Sequence, residues 1–199
     1  MKKIKILSLL FCVVMLVAAC HDDEEGPIIP QPREQVGRTV LVYIVGDNGV
    51  NELSDLFKTN FEDMKEGMKE VDYSKCNLVV YSEMVNDVPR LVSLKKQNGK
   101  VVADTLFTYS EQNPLAKEVM SSVISQTVSY FPADSYGFVF LSHSSSWVPA
   151  TNDANSRSIG YYRRTQMNIP DFHDVLLSSF PRPLKFILFD SCSMQAVEV

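Results

Sequence analysis

A histidine and a cysteine lie where two strongly apolar segments end. His143 closes YGFVFLSH, and Cys192 comes two residues after the end of LKFILFD. An imidazole beside a thiol can take or hold its proton and leave the reactive thiolate. The two residues are 49 positions apart, so only the fold can bring them together. Their residue types predict a nucleophilic cysteine with a histidine base, if the elements that carry them are neighbours.

The apolar segments have the pattern of buried strands. Continuous β-branched and aromatic runs of this kind are typical of strands that are covered on both faces. They occur in TVLVYIV, NLVVYSEM, YGFVFLSH and LKFILFD. Apolar residues at three- and four-residue spacing predict helices between them. These helices lie in NELSDLFKTNFEDMKEGMKEV, NPLAKEVMSSVISQTVSYF and MNIPDFHDVLLSSF.

The order of these elements predicts an α/β fold with a mainly parallel central sheet flanked by helices. RLVSLKKQNGKVVADTLF reads as a hairpin around Asn98-Gly99, and the polar stretch from Ser144 to Gly160 reads as a loop. Because functional groups of parallel sheets gather at the carboxyl ends of the strands, His143 and Cys192 are expected at one edge. Neighbouring strands would place these ends about 5 Å apart.

Two sequence blocks resemble the signatures of the clostripain family of cysteine peptidases, which belongs with caspases, gingipains and legumain. LSHSSSW resembles the family's His-Gly-x-Gly-Trp block, and FDSCSMQAVE resembles its Asp-x-Cys-x-Met-x-x-x-Glu block. The resemblance runs from Arg38 to the end of the chain, and the His–Cys separation is close to the roughly 50 residues seen in caspases. The second block matches at Asp190, Cys192, Met194 and Glu198, whereas Ser144 and Ser146 replace the two glycines of the first.

The resemblance implies a caspase-like three-layer sandwich and an endopeptidase that cleaves after Arg or Lys in peptides or proteins. His143 and Cys192 would form the dyad, and the backbone N–H groups of Ser144 and Cys192 would bind the oxyanion. Asp190 would lie at the floor of the S1 pocket, where a carboxylate can pair with Arg or Lys. If the backbone after His143 needs a positive φ, Ser144 introduces strain that glycine would avoid.

The resemblance also bears on the end of the chain and on its processing. In the family the cysteine begins a helix, and further strands follow it. A chain that ends at Val199 is therefore expected to be C-terminally truncated. Arg157 and the pair Arg163-Arg164 lie between the two dyad positions, where an Arg-specific peptidase could cut itself.

The N-terminal segment has the pattern of a bacterial lipoprotein. Residues 1–19 combine a cationic start with an apolar stretch, which predicts a signal peptide, and Cys20 follows two alanines as in a lipobox. Residues 20–37 are acidic and proline-rich and read as a tether, resembling the surface-export signal of Bacteroidetes lipoproteins. Residues 38–199 are the predicted peptidase domain. We expect a lipid anchor in the outer membrane, with the domain exposed at the cell surface.

Composition argues against several other functions. The net charge of -5 and the lack of a basic patch argue against nucleic acid as a partner, and no Cys/His cluster suggests zinc. No cofactor is required, although Asp153, flanked by asparagines, is a candidate calcium ligand. An inactive surface lipoprotein that keeps the fold and binds peptides or partner proteins is the alternative. A cofactor-binding α/β domain would need a phosphate-binding loop, which the sequence lacks.

Overall fold

The centre of the protein is a six-stranded, mainly parallel sheet, as the sequence predicts. A computed structural model describes residues 30–48, 51–144, 158–192 and 194. The strands of this sheet are β1 (Arg38–Val45), β2 (Cys76–Glu83), β3 (Arg90–Gln97), β4 (Lys100–Thr108), β5 (Tyr136–Leu141) and β8 (Phe186–Asp190). The strand order is β4-β3-β2-β1-β5-β8, in which β2, β1, β5 and β8 are parallel and β3 and β4 form an antiparallel extension.

Among the described residues, three helices cover the two faces of this sheet, which gives three layers. The helix α1 (Asn51–Gly67) runs into a short 3-10 turn, and its Phe57 packs in a core cluster with Val42 and Val80. The helices α2 (Lys117–Tyr130) and α3 (Ile169–Ser179) pack on the opposite face, in a larger cluster built around the aromatic residues of β1 and β5. All of this lies within one compact unit, Gln31–Val199.

A second, two-stranded sheet replaces part of the loop that was predicted to run to Gly160. Strands β6 (Ser158–Tyr162) and β7 (Thr165–Asn168) pair as an antiparallel hairpin. The turn between them holds Arg163, whose φ is 53°. A turn of two arginines carries no Asn-Gly or Asp-Gly signal, and the strands are short, so the pattern did not indicate a hairpin.

The fourth predicted strand, β8, is present and lies at the edge of the sheet that the structure describes. Phe186, Ile187 and Leu188 are 38%, 42% and 56% exposed. Phe189 is better covered, because its ring packs against Phe172 of α3 with centroids 6.0 Å apart. The apolar run therefore predicts the strand but not how much of it is buried by other elements. Among the helices that the structure describes, none is long and apolar enough to cross a membrane.

Candidate active site

The ends of β5 and β8 bring the histidine and cysteine segments to the same edge of the sheet. The two strands are parallel neighbours, and their last paired residues are Leu141 and Asp190. The Ser142 amide then donates a hydrogen bond to the Asp190 carbonyl oxygen at 3.4 Å. His143 and Cys192 each come two residues after the last pair, so both follow the strands at the same edge.

The two segments also touch beyond the strands. The Ser144 hydroxyl donates a hydrogen bond of 2.8 Å to the Cys192 carbonyl oxygen. His143 is half-buried, whereas Cys192 is an exposed free thiol. Met194 is 8% exposed and belongs to the larger core cluster, which anchors the chain just after the cysteine. A cysteine held at both sides and open to solvent is accessible to a substrate carbonyl.

The β6–β7 hairpin supports the histidine segment from the other side. The Tyr161 amide donates to the Ser142 hydroxyl at 3.0 Å, and an antiparallel bridge pairs Ser144 with Ile159. Ser144 is not among the described residues with positive φ, so the strain considered for a serine after His143 does not arise there. Ser146, the other serine that replaces a glycine, lies outside the described residues.

Asp190 faces the α1 side of the sheet and lines an open cavity. The Asn60 side-chain amide donates to one carboxylate oxygen of Asp190 at 3.3 Å. The cavity has a volume of about 590 Å³ and lies between α1 and the sheet. Its wall combines apolar side chains, among them Leu141 and Leu188, with the polar groups of Asn60, Asp63 and Asp190. Such a space can hold an aliphatic stem with a cationic head.

An acidic cluster lies at the ends of β1 and β2, on the same edge of the sheet. Glu83 is 2% exposed, and its Oε2 atom has no hydrogen-bond partner among the described residues. Burial and, to a smaller extent, the negative charge of Asp47 raise the pKa of Glu83 to about 8, while Arg163 opposes the shift. The Arg163 guanidinium, at the hairpin turn, pairs with both Asp47 and Glu111.

The chain matches the clostripain family of cysteine peptidases over residues 42–199. It belongs to the clostripain family. This conclusion confirms the resemblance that the His143 and Cys192 blocks carry. No curated protein matches the chain.

Solved structures of clostripain-family proteases resemble the fold. A secreted C11 cysteine protease from Bacteroides thetaiotaomicron, in complex with an irreversible peptide inhibitor, is 40% identical with a TM-score of 0.70. An inactive zymogen C11 protease from Parabacteroides distasonis is 32% identical with a TM-score of 0.66. The matches cover 80% and 81% of this chain but 44% of each neighbour, so this chain spans less than half of their length. A B. fragilis cysteine protease is 43% identical with a TM-score of 0.53, over 57% of this chain and 93% of that one.

Several predicted residues of this clostripain-family chain lie outside the described residues. They are Cys20, Ser146, Asp153, Arg157 and Glu198. Calcium takes six to eight oxygen ligands, and the described part of the chain has no group of three or more acidic, histidine or cysteine side chains that could hold a metal ion. Asp153 lies outside that part, so the calcium ligand there stays a prediction.

Sequence reasoning missed the residues that position the site. Ser142, Tyr161 and Arg163 tie the hairpin to the strand ends, and Asn60 reaches Asp190 from α1. A serine hydroxyl, a backbone amide and an asparagine side chain carry no motif, and Arg163 was singled out only as a candidate cleavage site. The one available signal was the tyrosine pair after Gly160, which suggests a short strand.

Proposed function

We propose that this protein is a cysteine endopeptidase that cleaves after Arg or Lys, with Cys192 as nucleophile and His143 as its base. One observation supports the pair above all. The register that ends at Leu141 and Asp190 sets His143 and Cys192 the same two residues beyond neighbouring parallel strands. Side chains with this chemistry then need only local rotation to meet at one edge.

The proposed reaction has two halves. The Cys192 thiolate attacks the scissile carbonyl carbon and forms a C–S bond, and the tetrahedral intermediate collapses as the C–N bond breaks. The His143 imidazolium gives its proton to the leaving amine. In the second half, His143 takes a proton from water, which attacks the thioester carbonyl and releases the acid and the Cys192 thiolate.

Backbone amides would stabilise the negative oxygen of both intermediates. We assign this role to the N–H groups of Ser144 and Cys192, which belong to the two segments that the 2.8 Å hydrogen bond joins. Loss of one such donor typically lowers turnover by about 10²–10³. The relative placement of the two segments therefore matters as much as the dyad itself.

Asp190 would select the residue before the cleaved bond. Its carboxylate lines the 590 Å³ cavity beside α1, where Leu141 and Leu188 offer apolar wall. The stem of a substrate Arg or Lys can pack on such a wall, while the cationic head pairs with the carboxylate. This arrangement supports a preference for basic residues.

A binding protein without catalysis is the second candidate. The exposed apolar edge of β8, where Leu188 is 56% exposed, could accept an added strand from a peptide or a partner protein. Ser146, which replaces a glycine of the family block, is the departure that favours this function.

For location, we propose that Cys20 carries lipid and anchors the protein to the outer membrane, exposing the domain at the surface. One structural neighbour is described as secreted, which agrees with export. Two or more acyl chains give firm anchoring. Metabolic labelling with an alkyne fatty acid should tag the wild type and not Cys20→Ser. Equal labelling of the two proteins would contradict the anchor.

Reporter peptides test the activity in the full-length protein. Wild type should cleave Arg and Lys reporters, and Cys192→Ala or His143→Ala should lower kcat by at least about a thousandfold. Cys76→Ala, which removes the other described free thiol, should keep the activity. Activity that survives in Cys192→Ala would refute the peptidase proposal. A correctly folded wild type that cleaves no reporter but binds peptides would favour the second candidate.

A further inference from the structure

We propose that the Ser144 hydroxyl is a positioning group, which replaces a missing step of the β5–β8 ladder and so holds Cys192 in place. The proposal rests on the assignment of His143 and Cys192 as the reacting pair. It concerns a residue that does not touch the substrate through its hydroxyl and acts through the cysteine.

The ladder between the two strands shows which step is missing. Its last backbone bond described beyond the paired residues runs from the Ser142 amide to the Asp190 carbonyl. Bonds of a parallel ladder recur at every second residue of each strand. The corresponding next bond would therefore run from the amide of Ser144 to the carbonyl of Cys192.

The side chain of Ser144 makes this contact instead. Its Oγ lies 2.8 Å from the Cys192 carbonyl oxygen, and because a carbonyl can only accept, the hydroxyl must donate. The backbone around Ser144 has turned toward the hairpin, where an antiparallel bridge pairs it with Ile159. One residue thus joins two elements, since it forms a bridge with Ile159 of β6 and its hydroxyl is bonded to the Cys192 carbonyl.

This geometry gives the serine a purpose that glycine could not fulfil. The two bonds, from Ser142 and from Ser144, flank His143 on one segment and reach Asp190 and Cys192 on the other. The chain is therefore held at Asp190, two residues before the cysteine, and again at the carbonyl of Cys192 itself. A fixed Cα direction limits where the thiol can point, and so determines how often the thiol turns toward the histidine segment.

Alkylation of Cys192 tests the proposal without relying on peptidase activity. The full-length protein is treated with iodoacetamide at several pH values, and the modification of each cysteine is followed by peptide mass spectrometry. Ser144→Ala and Ser144→Gly should slow Cys192 alkylation at neutral pH by about two- to tenfold, the range that one neutral hydrogen bond supports. Ser144→Thr, which keeps the hydroxyl, should stay close to wild type.

Two references separate positioning from loss of structure. Cys76, the partly buried thiol at the start of β2, should react at an unchanged rate in every variant. Ser178→Ala removes a hydroxyl that also donates to a backbone carbonyl, that of Asp174 at 2.7 Å, and should leave Cys192 unaffected. Faster reaction of Cys76 in Ser144→Ala would mean a general loosening and would overturn the proposal.

The rate of Cys192 alkylation itself supports or overturns the positioning role of Ser144. A Cys192 profile that is the same in wild type, Ser144→Ala and Ser144→Gly would overturn the positioning role. Slower alkylation of Cys192 in Ser144→Ala, with rescue by Ser144→Thr, would support it even if no reporter peptide is cleaved. That combination would count against the peptidase proposal alone. In an active enzyme, kcat should fall in Ser144→Ala while KM stays within about twofold.

Discussion

Arg163 and Asp47 make two contacts with each other where the hairpin turn meets the end of β1. The Arg163 backbone amide donates to the Asp47 carbonyl oxygen at 2.9 Å, and its Nε donates to the Asp47 carboxylate at 2.9 Å. The Asp47 side chain is 8% exposed, and the Arg163 guanidinium also pairs with Glu111 and lies over the Tyr162 ring. These contacts fasten the β6–β7 hairpin to the central sheet.

Removal of this cation should loosen the hairpin. We expect Arg163→Met to lower the melting temperature and to speed hydrogen exchange of the Tyr161 amide, because the Asp47 carboxylate loses a charged donor in a buried place. Arg163→Lys should keep only part of the wild-type melting temperature and exchange protection, since an ammonium group lacks the forked donors of a guanidinium. Arg164→Met, which changes the exposed neighbour in the same turn, is the control. Equal effects at 163 and 164 would contradict a specific clamp.

The same contacts bear on self-cleavage. A peptidase binds its substrate in an extended form with the basic side chain inserted into the pocket. Arg163 sits in a tight turn, and its side chain is already paired. We therefore expect that the folded protein is not cut after Arg163. Cleavage after Arg157 stays a prediction, which mass spectrometry of the purified protein can check.

Stability should fall as pH rises, because of Glu83. Burial and the charge of Asp47 raise its pKa from about 4.5 to about 8. Between these values the folded state keeps a proton that the unfolded state has lost, so the free energy of unfolding decreases with pH. Each pKa unit corresponds to about 1.4 kcal/mol, so the whole window is worth on the order of a few kcal/mol.

Glu83→Gln isolates this contribution, since glutamine resembles the protonated acid. The variant should match wild type near pH 4.5 and become the more stable protein toward pH 8, as measured by urea unfolding at several pH values. The groups that act on Glu83 are Asp47, Glu111 and Asp87, which favour the protonated form, and Arg163, which opposes it. Glu34→Gln, a change at an exposed acid, should keep the wild-type slope. Parallel stability curves for wild type and Glu83→Gln would refute the explanation.

Asp190 should control which residue is accepted before the cleaved bond. Asp190→Asn keeps the hydrogen bond to Asn60 available but removes the charge. We expect kcat/KM for Arg and Lys reporters to fall by about 30-fold or more, the cost of leaving a cation without its partner. The kcat/KM for reporters with a neutral residue before the cleaved bond should change little. Asp63→Asn, at the other acid on the same cavity, should have the smaller effect. A larger effect of Asp63→Asn than of Asp190→Asn would assign the selectivity to Asp63 of α1.

Much of the fold follows from local pattern. The continuous apolar runs gave the strands that hold the site, and helical spacing placed Phe57 of α1 and Phe172 of α3 against the sheet. The two strand ends that carry His143 and Cys192 were also predictable, because parallel strands share their carboxyl edge. Neighbouring positions for β5 and β8 were an assumption at that stage, and the strand order confirms it.

What the sequence could not predict depends on contacts between distant segments. The exposure of β8 follows from its place at the edge of the sheet, which its own residues do not encode. The raised pKa of Glu83 arises from tertiary burial and from Asp47, which lies 36 positions earlier in the chain. The Ser144 bond to Cys192 joins residues 48 positions apart, and one serine in a serine-rich stretch has no feature that distinguishes it.

Gly160 of β6 should be intolerant of any side chain. Its φ is +75°, and a Cβ atom there would lie 2.6 Å from Leu115 Cδ2 and 3.0 Å from Phe140 Cζ. Gly160→Ala should therefore lower the free energy of unfolding by about 1–3 kcal/mol, through backbone strain and overpacking. Gly67→Ala, where a Cβ meets nothing within 4 Å and φ is -59°, should be neutral or slightly stabilising in urea unfolding.

A double mutant separates the clash at Gly160 from the backbone strain. In a Leu115→Ala background the clash is relieved but the strain is not, so Gly160→Ala should lower the free energy of unfolding by less. An equal cost in both backgrounds would show that Leu115 does not limit this position.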